Sequence, residues 1–208
     1  MKTFNNFISE AKEKSATFTF GRFNPPTTGH EKLVKKLLSV GRGTDVLLFS
    51  SHSNDKRKNP LNHRDKVKYL KKFFGKIVVD ANVRTVFEIC NFLQEKKYVN
   101  INMVVGSDRV KEFEMLITKY NGVKARHGFY KFKNINIISA GERDPDADDV
   151  SGMSASKMRE FAEKGDFEGF KDGVPSKGKN LAKKLYDDIR KGMGINEGTL
   201  PQYMIEDL

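Results

Sequence analysis

Ten residues, Gly21 to His30, read GRFNPPTTGH. Their types and order suit the handling of an anion. Pro25-Pro26 excludes helix at Asn24 and Pro25, so the chain must turn there. Thr27 or Thr28 can then cap a helix that carries Leu33 to Leu38. A helix N-terminus offers N–H groups and the positive end of a dipole, which favours phosphate. Gly21 and Gly29 let a ligand come close to the backbone. His30 falls in the first turn, placed to donate to a phosphate oxygen. The plainer reading is a proline-capped helix with a surface histidine.

A second constellation lies far along the chain, Met153-Ser154-Ala155-Ser156-Lys157-Met158-Arg159. Two hydroxyls and a guanidinium at a helix start again suit anionic oxygens. The plainer reading is an ordinary serine-capped helix. Between the two, VVGSDRV places Gly106 and Asp108 after an apolar run. Asp108 also reads as a helix N-cap. The acidic run Asp144–Asp149 suits a metal or a solvated linker, and charge runs are more often the latter.

The elements that must hold these residues alternate. Strand-like runs cover Ala16–Phe20, Asp45–Ser50, Lys76–Asp80, Ile101–Val105 and Asn134–Ser139. DVLLFS, KIVVD and INMVV are nearly continuous apolar or β-branched runs, as in strands buried on both faces. Helical stripes lie between them: Leu33, Val34, Leu37 and Leu38; then Val67, Leu70, Phe73 and Phe74; then Val86, Ile89, Cys90 and Leu93. A fourth helix follows Asp108. This alternation predicts an α/β fold, a Rossmann-like three-layer α/β/α sandwich with a five-stranded, mostly parallel sheet and C-terminal helices. In such sheets ligands sit beyond the carboxyl ends of the strands. Gly21–His30 and Gly106-Ser107-Asp108 both fall there. After Ser139 comes the charged loop AGERDPDADDVSG, then one or two short helices, then a longer helix over about Ser176–Lys191 with Leu181, Leu185 and Ile189 on one face. The chain divides into residues 1–15 as an extension, 16–172 as the main domain, and 173–208 as a C-terminal helix and tail.

Composition bounds the rest. The 208 residues fit one domain with appendages, and 38% hydrophobic residues suffice for a core. No apolar run nears the ~20 residues that span a bilayer, and no secretory h-region opens the chain. One cysteine, Cys90, excludes an intrachain disulfide and a cysteine-rich metal site and suits a reduced, cytoplasmic setting. Net charge is +11, from 38 Lys+Arg against 27 Asp+Glu. Such a surface attracts polyanions, nucleic acid or phosphate-rich small molecules, although most charge runs are simply solvated.

GRFNPPTTGH resembles the signature of the nucleotidylyltransferase superfamily, G-x-F-x-P-x-H/T-x-G-H, with Thr27 at the His/Thr position. Thr-x-G-H is similar to pantetheine-phosphate adenylyltransferases. GRF is similar to archaeal-type nicotinamide-mononucleotide adenylyltransferases, where the arginine contacts nucleotide phosphates. MSASKMR resembles the second signature, I-S-S/G-T-x-I-R, through Ser154, Ser156 and Arg159. KNPLNHRDKVKYL resembles the segment K-N-P-f-x-x-x-E/D-R, and VVGSDRV the G-x-D turn that contacts the nucleoside. The resemblance covers roughly Ala16 to Phe170.

It implies nucleotidyl transfer. An acceptor phosphate attacks the α-phosphate of ATP or CTP, and pyrophosphate leaves without a covalent intermediate. Mg²⁺ bridging the triphosphate is the implied cofactor. His30, Thr27 and Lys58 carry over as catalytic residues. Gly21, Arg22, Phe23, Gly29, Gly106, Asp108, Ser154, Ser156 and Arg159 carry over to nucleotide binding, and Arg64 as a further phosphate contact. A homo-oligomer is a common state of relatives. Departures leave the acceptor open: the first motif histidine is Thr27, Ser156 stands where threonine is usual, and no tryptophan exists to stack a pyridine ring. Adenylyl transfer is the first reading and cytidylyl transfer the nearest alternative. A different class of alternative is a nucleotide- or DNA-binding protein without turnover.

MKTFNNFISEA resembles the capsid-targeting peptides of internal head proteins in large tailed phages. The resemblance implies cleavage by a prohead protease between Glu10 and Ala11, packaging in the phage head, and delivery to a host cytoplasm. The alternative is an amphipathic helix, with Phe4, Phe7 and Ile8 packing on the body.

Overall fold

A computed structural model describes residues 13–141 and 153–195. Four strands form one parallel sheet: β1 (Ser15–Gly21), β2 (Asp45–Ser50), β3 (Asn100–Val105) and β4 (Asn134–Ser139), in the order β2-β1-β3-β4. Seven α-helices accompany them among the described residues: α1 (Thr28–Val40), α2 (His63–Phe74), α3 (Val86–Glu95), α4 (Val110–Lys119), α5 (Ala155–Lys164), α6 (Phe167–Asp172) and α7 (Ala182–Met193).

The expected fifth strand is not among them. Gly75–Ile77 closes a 3-10 turn directly after α2, and Val83 N–H turns back to the Ala81 carbonyl at 2.9 Å. Only Val78 and Val79 remain extended beside β2. They make a single bridge, Val78 to Leu48, with Val79 N–H donating to the Leu48 carbonyl at 2.9 Å. Of the run KIVVD only Val78 is buried, and its edge contact is too short to make a ladder. The long C-terminal helix is likewise divided into a 3-10 segment, Ser176–Leu181, and then α7. Gly178 sits so close to the Phe73 ring that any Cβ would collide with it.

Three apolar clusters hold the layers. On one sheet face Val86, Ile89, Cys90 and Leu93 of α3, with Phe113 and Ile117 of α4, pack on Phe18, Phe49, Ile101 and Met103. On the other, Val34 of α1 and Val67 and Leu70 of α2 pack on Phe23, Leu48 and Val78. The opposite side of α2, Tyr69 and Phe73, meets α5, α6 and α7 through Met158, Phe170, Leu185 and Ile189. Helix α2 thus bridges the sheet and the C-terminal helices. Residues 173–195 share one core with α2, α5 and α6.

The chain leaves β1 for β2 on one side, then crosses to β3 on the other. The crevice between the carboxyl ends of β1 and β3 is therefore the topological switch point of the sheet. The loops after Gly21 and after Val105 both open there.

Candidate functional site

The loop after β1 is built around His30. Thr27 is the N-cap of α1, with His30 three residues on. His30 N–H donates to Thr27 Oγ1 at 3.2 Å, and Thr27 N–H donates to His30 Nδ1 at 3.1 Å. This is a capping box with histidine in the place usually held by Glu or Gln. A backbone N–H can only donate, so Nδ1 must be bare and the proton must sit on Nε2. The Phe23 ring packs on the imidazole at 4.8 Å between centroids. Phe23 is 1% exposed and has φ 47°, a left-handed conformation that costs a bulky residue about 1–2 kcal/mol. That backbone turn is what tucks the ring under His30.

Gly21 serves the packing of the loop itself. A Cβ there would lie 3.0 Å from the Phe23 ring, so the glycine makes room for the phenylalanine. The helix N-terminus is also less open than the sequence suggests. Thr28 N–H is taken by the Gly173 carbonyl at 2.9 Å, and His30 N–H by its cap. That leaves the Gly29 N–H for a ligand.

Asn24 ties three motifs together. It is 1% exposed. Its Nδ2 donates to the Leu61 carbonyl at 2.8 Å, and Leu61 N–H donates back to Oδ1 at 3.0 Å. Its own carbonyl accepts from Arg159 Nη1 at 2.7 Å. Arg159 Nη2 also donates to Ser156 Oγ at 3.1 Å. Ser154 caps α5, accepting from Lys157 N–H at 3.1 Å. The two serines of the second motif thus build the helix start and aim the guanidinium. Nε–H and one hydrogen on each Nη of Arg159 remain for an anion.

Three cations converge here. Burial first, and then the charge of Arg22, lower the affinity of Arg159 for its proton; Asp55 opposes this weakly. The same two causes in the same order push Lys66 down to about 8. Lys66 is 0% exposed, and its Nζ has no hydrogen-bond partner among the described residues. Arg22 is exposed at the rim, felt by both. A fully buried ammonium with no partner is costly, and a cluster of like charges adds to the cost. Such a cluster suits an anion, which would offset both costs.

Beside Lys66, at the end of β2, His52 and His63 stack with centroids 3.6 Å apart and an interplanar angle of 18°. Burial, then His52, holds His63 below the ordinary histidine value; Lys66 acts in the same direction, while the Ser51 backbone and Asp80 oppose it. His52 Nε2, His63 Nδ1 and Ser51 Oγ are buried and unpartnered.

Other expected residues sit further out. Lys58 is exposed on a basic turn folded by Asp55, whose carboxylate accepts from Lys58 N–H at 2.6 Å and Arg57 N–H at 3.1 Å. Arg64 is exposed, and the inward-facing cation of that segment is Lys66, two residues on. Asp108 does not cap a helix: it lies inside a 3-10 turn, Ser107–Arg109, and α4 starts at Val110. Its Oδ1 folds back to 2.7 Å from where a Gly106 Cβ would stand, so any larger residue there would displace the carboxylate. The acidic run Asp144–Asp149 and the N-terminal peptide with Glu10-Ala11 lie outside the described residues. No three His, Cys, Asp or Glu among the described residues group to hold a metal. No helix among them is long and apolar enough to cross a membrane.

Sequence reasoning passed over Lys66, His52, His63 and the bracing role of Asn24. One signal for Lys66 was available: it stands four residues before Leu70 on the apolar face of α2, where a charge is out of place.

Fold and site together define a class, a doubly wound α/β protein with a cationic crevice at its switch point. Within that class the chain belongs to the cytidylyltransferase-like family, whose model matches residues 18–161. Among solved structures it is similar to Plasmodium falciparum nicotinic acid mononucleotide adenylyltransferase complexed with NaAD. That likeness has a TM-score of 0.51 at 16% identity and covers 84% of this chain and 98% of that one. At this identity the likeness is one of fold. No curated protein matches the sequence.

Proposed function

We propose that the protein transfers a nucleoside monophosphate, AMP from ATP in the first instance, to a phosphorylated acceptor and releases pyrophosphate. The observation that carries this is the capping box that leaves His30 with its proton on Nε2. A neutral imidazole held this way donates to charge growing on the α-phosphate and needs no reorganisation to do so. Arg159, braced by Ser156 and Asn24, and Arg22 at the rim hold the triphosphate. Lys66 supplies a desolvated charge to the reacting phosphates. Thr27 fixes the histidine ring, and the Gly29 N–H adds a backbone donor. Lys58 reaches in from the exposed turn. Gly106 and Asp108, across the crevice on the β3 side, face the nucleoside. Mg²⁺ enters as part of the nucleoside triphosphate substrate. Family membership and a fold shared with an adenylyltransferase support the reading.

The test is pyrophosphate release with Mg²⁺ and ATP or CTP, each offered with nicotinamide mononucleotide, nicotinic acid mononucleotide or phosphopantetheine. His30→Ala should lower turnover by about 10²–10³, the effect of removing one transition-state donor. Equal rates in the variant would sink the role of His30. CTP preferred over ATP would move the assignment to cytidylyl transfer. The net charge of +11 favours a second reading, a nucleotide- or DNA-binding protein without turnover. That reading predicts steeply salt-dependent DNA binding that His30→Ala leaves unchanged.

A further inference from the structure

We propose that the end of β2 is a proton-linked anion site, in which the stacked His52–His63 pair takes up a proton when a phosphate dianion settles against Lys66. The proposal rests on the functional reading above for the identity of its ligand, the phosphate of a substrate. Its physical basis is independent of turnover.

The geometry shows unmet need on both sides. Lys66 is fully buried, and among the described residues its Nζ and three more buried polar atoms nearby, on Ser51, His52 and His63, have no hydrogen-bond partner. The groups facing the imidazoles are mostly cationic. Lys66 comes from α2 itself, and Arg22 from the loop after β1 acts on Lys66. One carboxylate, Asp80, faces His63, and it is engaged by Lys71 Nζ at 2.9 Å. Asp65 on α2 is held by Asn62. With no anion in place, a proton on either imidazole would stand 3.6 Å from a second ring and beside an ammonium. Burial, His52 and Lys66 all oppose a proton on His63. A dianion reverses the local sign. It neutralises Lys66, and a protonated imidazole then gains a charge-assisted bond to an anionic oxygen. Protonation and anion binding must favour each other by the same factor. The bare Nδ1 of His63 is the nitrogen positioned to receive the proton, since the other side of that ring meets the Ser51 backbone.

The site would thus bind phosphate more tightly as pH falls through the neutral range. It would also present an acceptor phosphate with a counter-charge that its own binding helps to create.

The chain has four histidines, so the experiment can read each one. The imidazole proton resonances of the full-length protein are titrated from pH 5 to 8.5, with and without sulfate. Sulfate is a dianion that does not itself titrate in this range. Resonances are assigned with His52→Gln, His63→Gln and His127→Gln. The expected result is an upward move of the His63 midpoint by at least one pH unit in sulfate, a tenfold gain in proton affinity. His127 should stay in place, and the move should vanish in Lys66→Met. Unmoved midpoints at His52 and His63 would overturn the proposal, whether sulfate bound elsewhere or not at all. A move that persists in Lys66→Met would overturn it too, as general screening. Failure of the transferase reading shows separately, in the pyrophosphate assay, and neither result decides the other.

Discussion

Replacing Lys66 by methionine should stabilise the protein and weaken its hold on phosphate. Lys66 carries its proton with a midpoint near 8 against an ordinary 10.5. At ~1.4 kcal/mol per tenfold change in proton affinity, that displacement is about 3 kcal/mol held against the fold at pH 7. The sign follows from proton counting. Between about 8 and 10.5 the unfolded chain binds the proton and the folded one does not, so stability rises with pH across that window. Below it the full penalty stands. Methionine keeps the apolar stem and drops the charge. Lys66→Met should gain about 2–3 kcal/mol at pH 7, which for a chain of this length raises Tm by roughly 5–10 °C. Urea unfolding at pH 7 reads the gain directly as a higher midpoint. Repeating it near pH 10.5 should remove most of the gain, because the folded wild-type lysine is then neutral and the unfolded one half so. Inorganic tripolyphosphate should raise the Tm of the wild type and do much less for the variant. A Lys66→Met protein less stable than wild type at pH 7 would refute the reasoning, since it would mean that the ammonium is satisfied in the folded state. Equal stabilisation of both proteins by tripolyphosphate would refute the ligand role.

Three further perturbations test how the site is braced. Asn24→Ala should cost about 2–4 kcal/mol in urea unfolding, because it strands both the N–H and the carbonyl of Leu61, and each buried unsatisfied group costs ~1–3 kcal/mol. A cost under about 0.5 kcal/mol would mean that water replaces the amide. Gly192→Ala should destabilise by about 1–3 kcal/mol despite the better helix propensity of alanine, because its Cβ would land on the Pro60 carbonyl oxygen behind the Asn59–Leu61 turn. A gain in Tm would show that α7 shifts freely. Glu31 binds Ser176 through its N–H at 3.0 Å and its hydroxyl at 2.5 Å. Burial alone would raise that carboxyl, but these bonds and Lys35 outweigh it and hold it below 4.5. Its contribution is thus present above about pH 4.5 and lost as pH falls through the lowered value. Wild type should therefore lose its advantage over Glu31→Gln between about pH 5 and pH 3 in urea midpoints. A constant difference across that range would remove Glu31 from the acid response.

How far the sequence shows this architecture depends on which residues carry the pattern. Four strands are legible because runs such as DVLLFS and NINMVV pair over their whole length with neighbours on the same sheet. KIVVD has the same composition, but a 3-10 turn at Gly75–Ile77 consumes its first half, and composition does not register where a helix ends. The motif residues are legible as types, and their duties are not. Ser154 and Ser156 read as phosphate ligands, and within the protein one caps α5 and the other aims Arg159. Gly21 reads as room for a ligand, and within the protein it is room for Phe23. These duties rest on local contacts two or three residues apart, whose geometry residue type alone does not fix, while the brace of Arg159 on Asn24 joins segments more than a hundred residues apart. Lys66 is hidden for a related reason. Its basic neighbours make it look like one more surface charge, and only the register of α2 turns it inward.

The site divides into two kinds of polar group, and the division explains how it can be both rigid and reactive. One kind is satisfied within the protein. Thr27 with His30, Asn24 with Leu61, and Arg159 with Asn24 and Ser156 spend their hydrogen bonds on one another, so the loop after β1 is set before any ligand arrives. The other kind is buried and unsatisfied: Lys66 Nζ, His63 Nδ1, His52 Nε2 and Ser51 Oγ. Folding alone does not favour leaving such groups in the interior. They lie beside the preset loop, at the end of the neighbouring strand, with Arg22 acting on both the buried lysine and the braced arginine. A ligand that satisfies them must carry negative charge against Lys66, and the N–H groups that Arg159 does not spend on Asn24 and Ser156 suit a second negative charge. Two phosphate-bearing substrates, aligned as the proposed transfer requires, would meet both needs. A single phosphate at the helix N-terminus would leave half of the cluster unanswered.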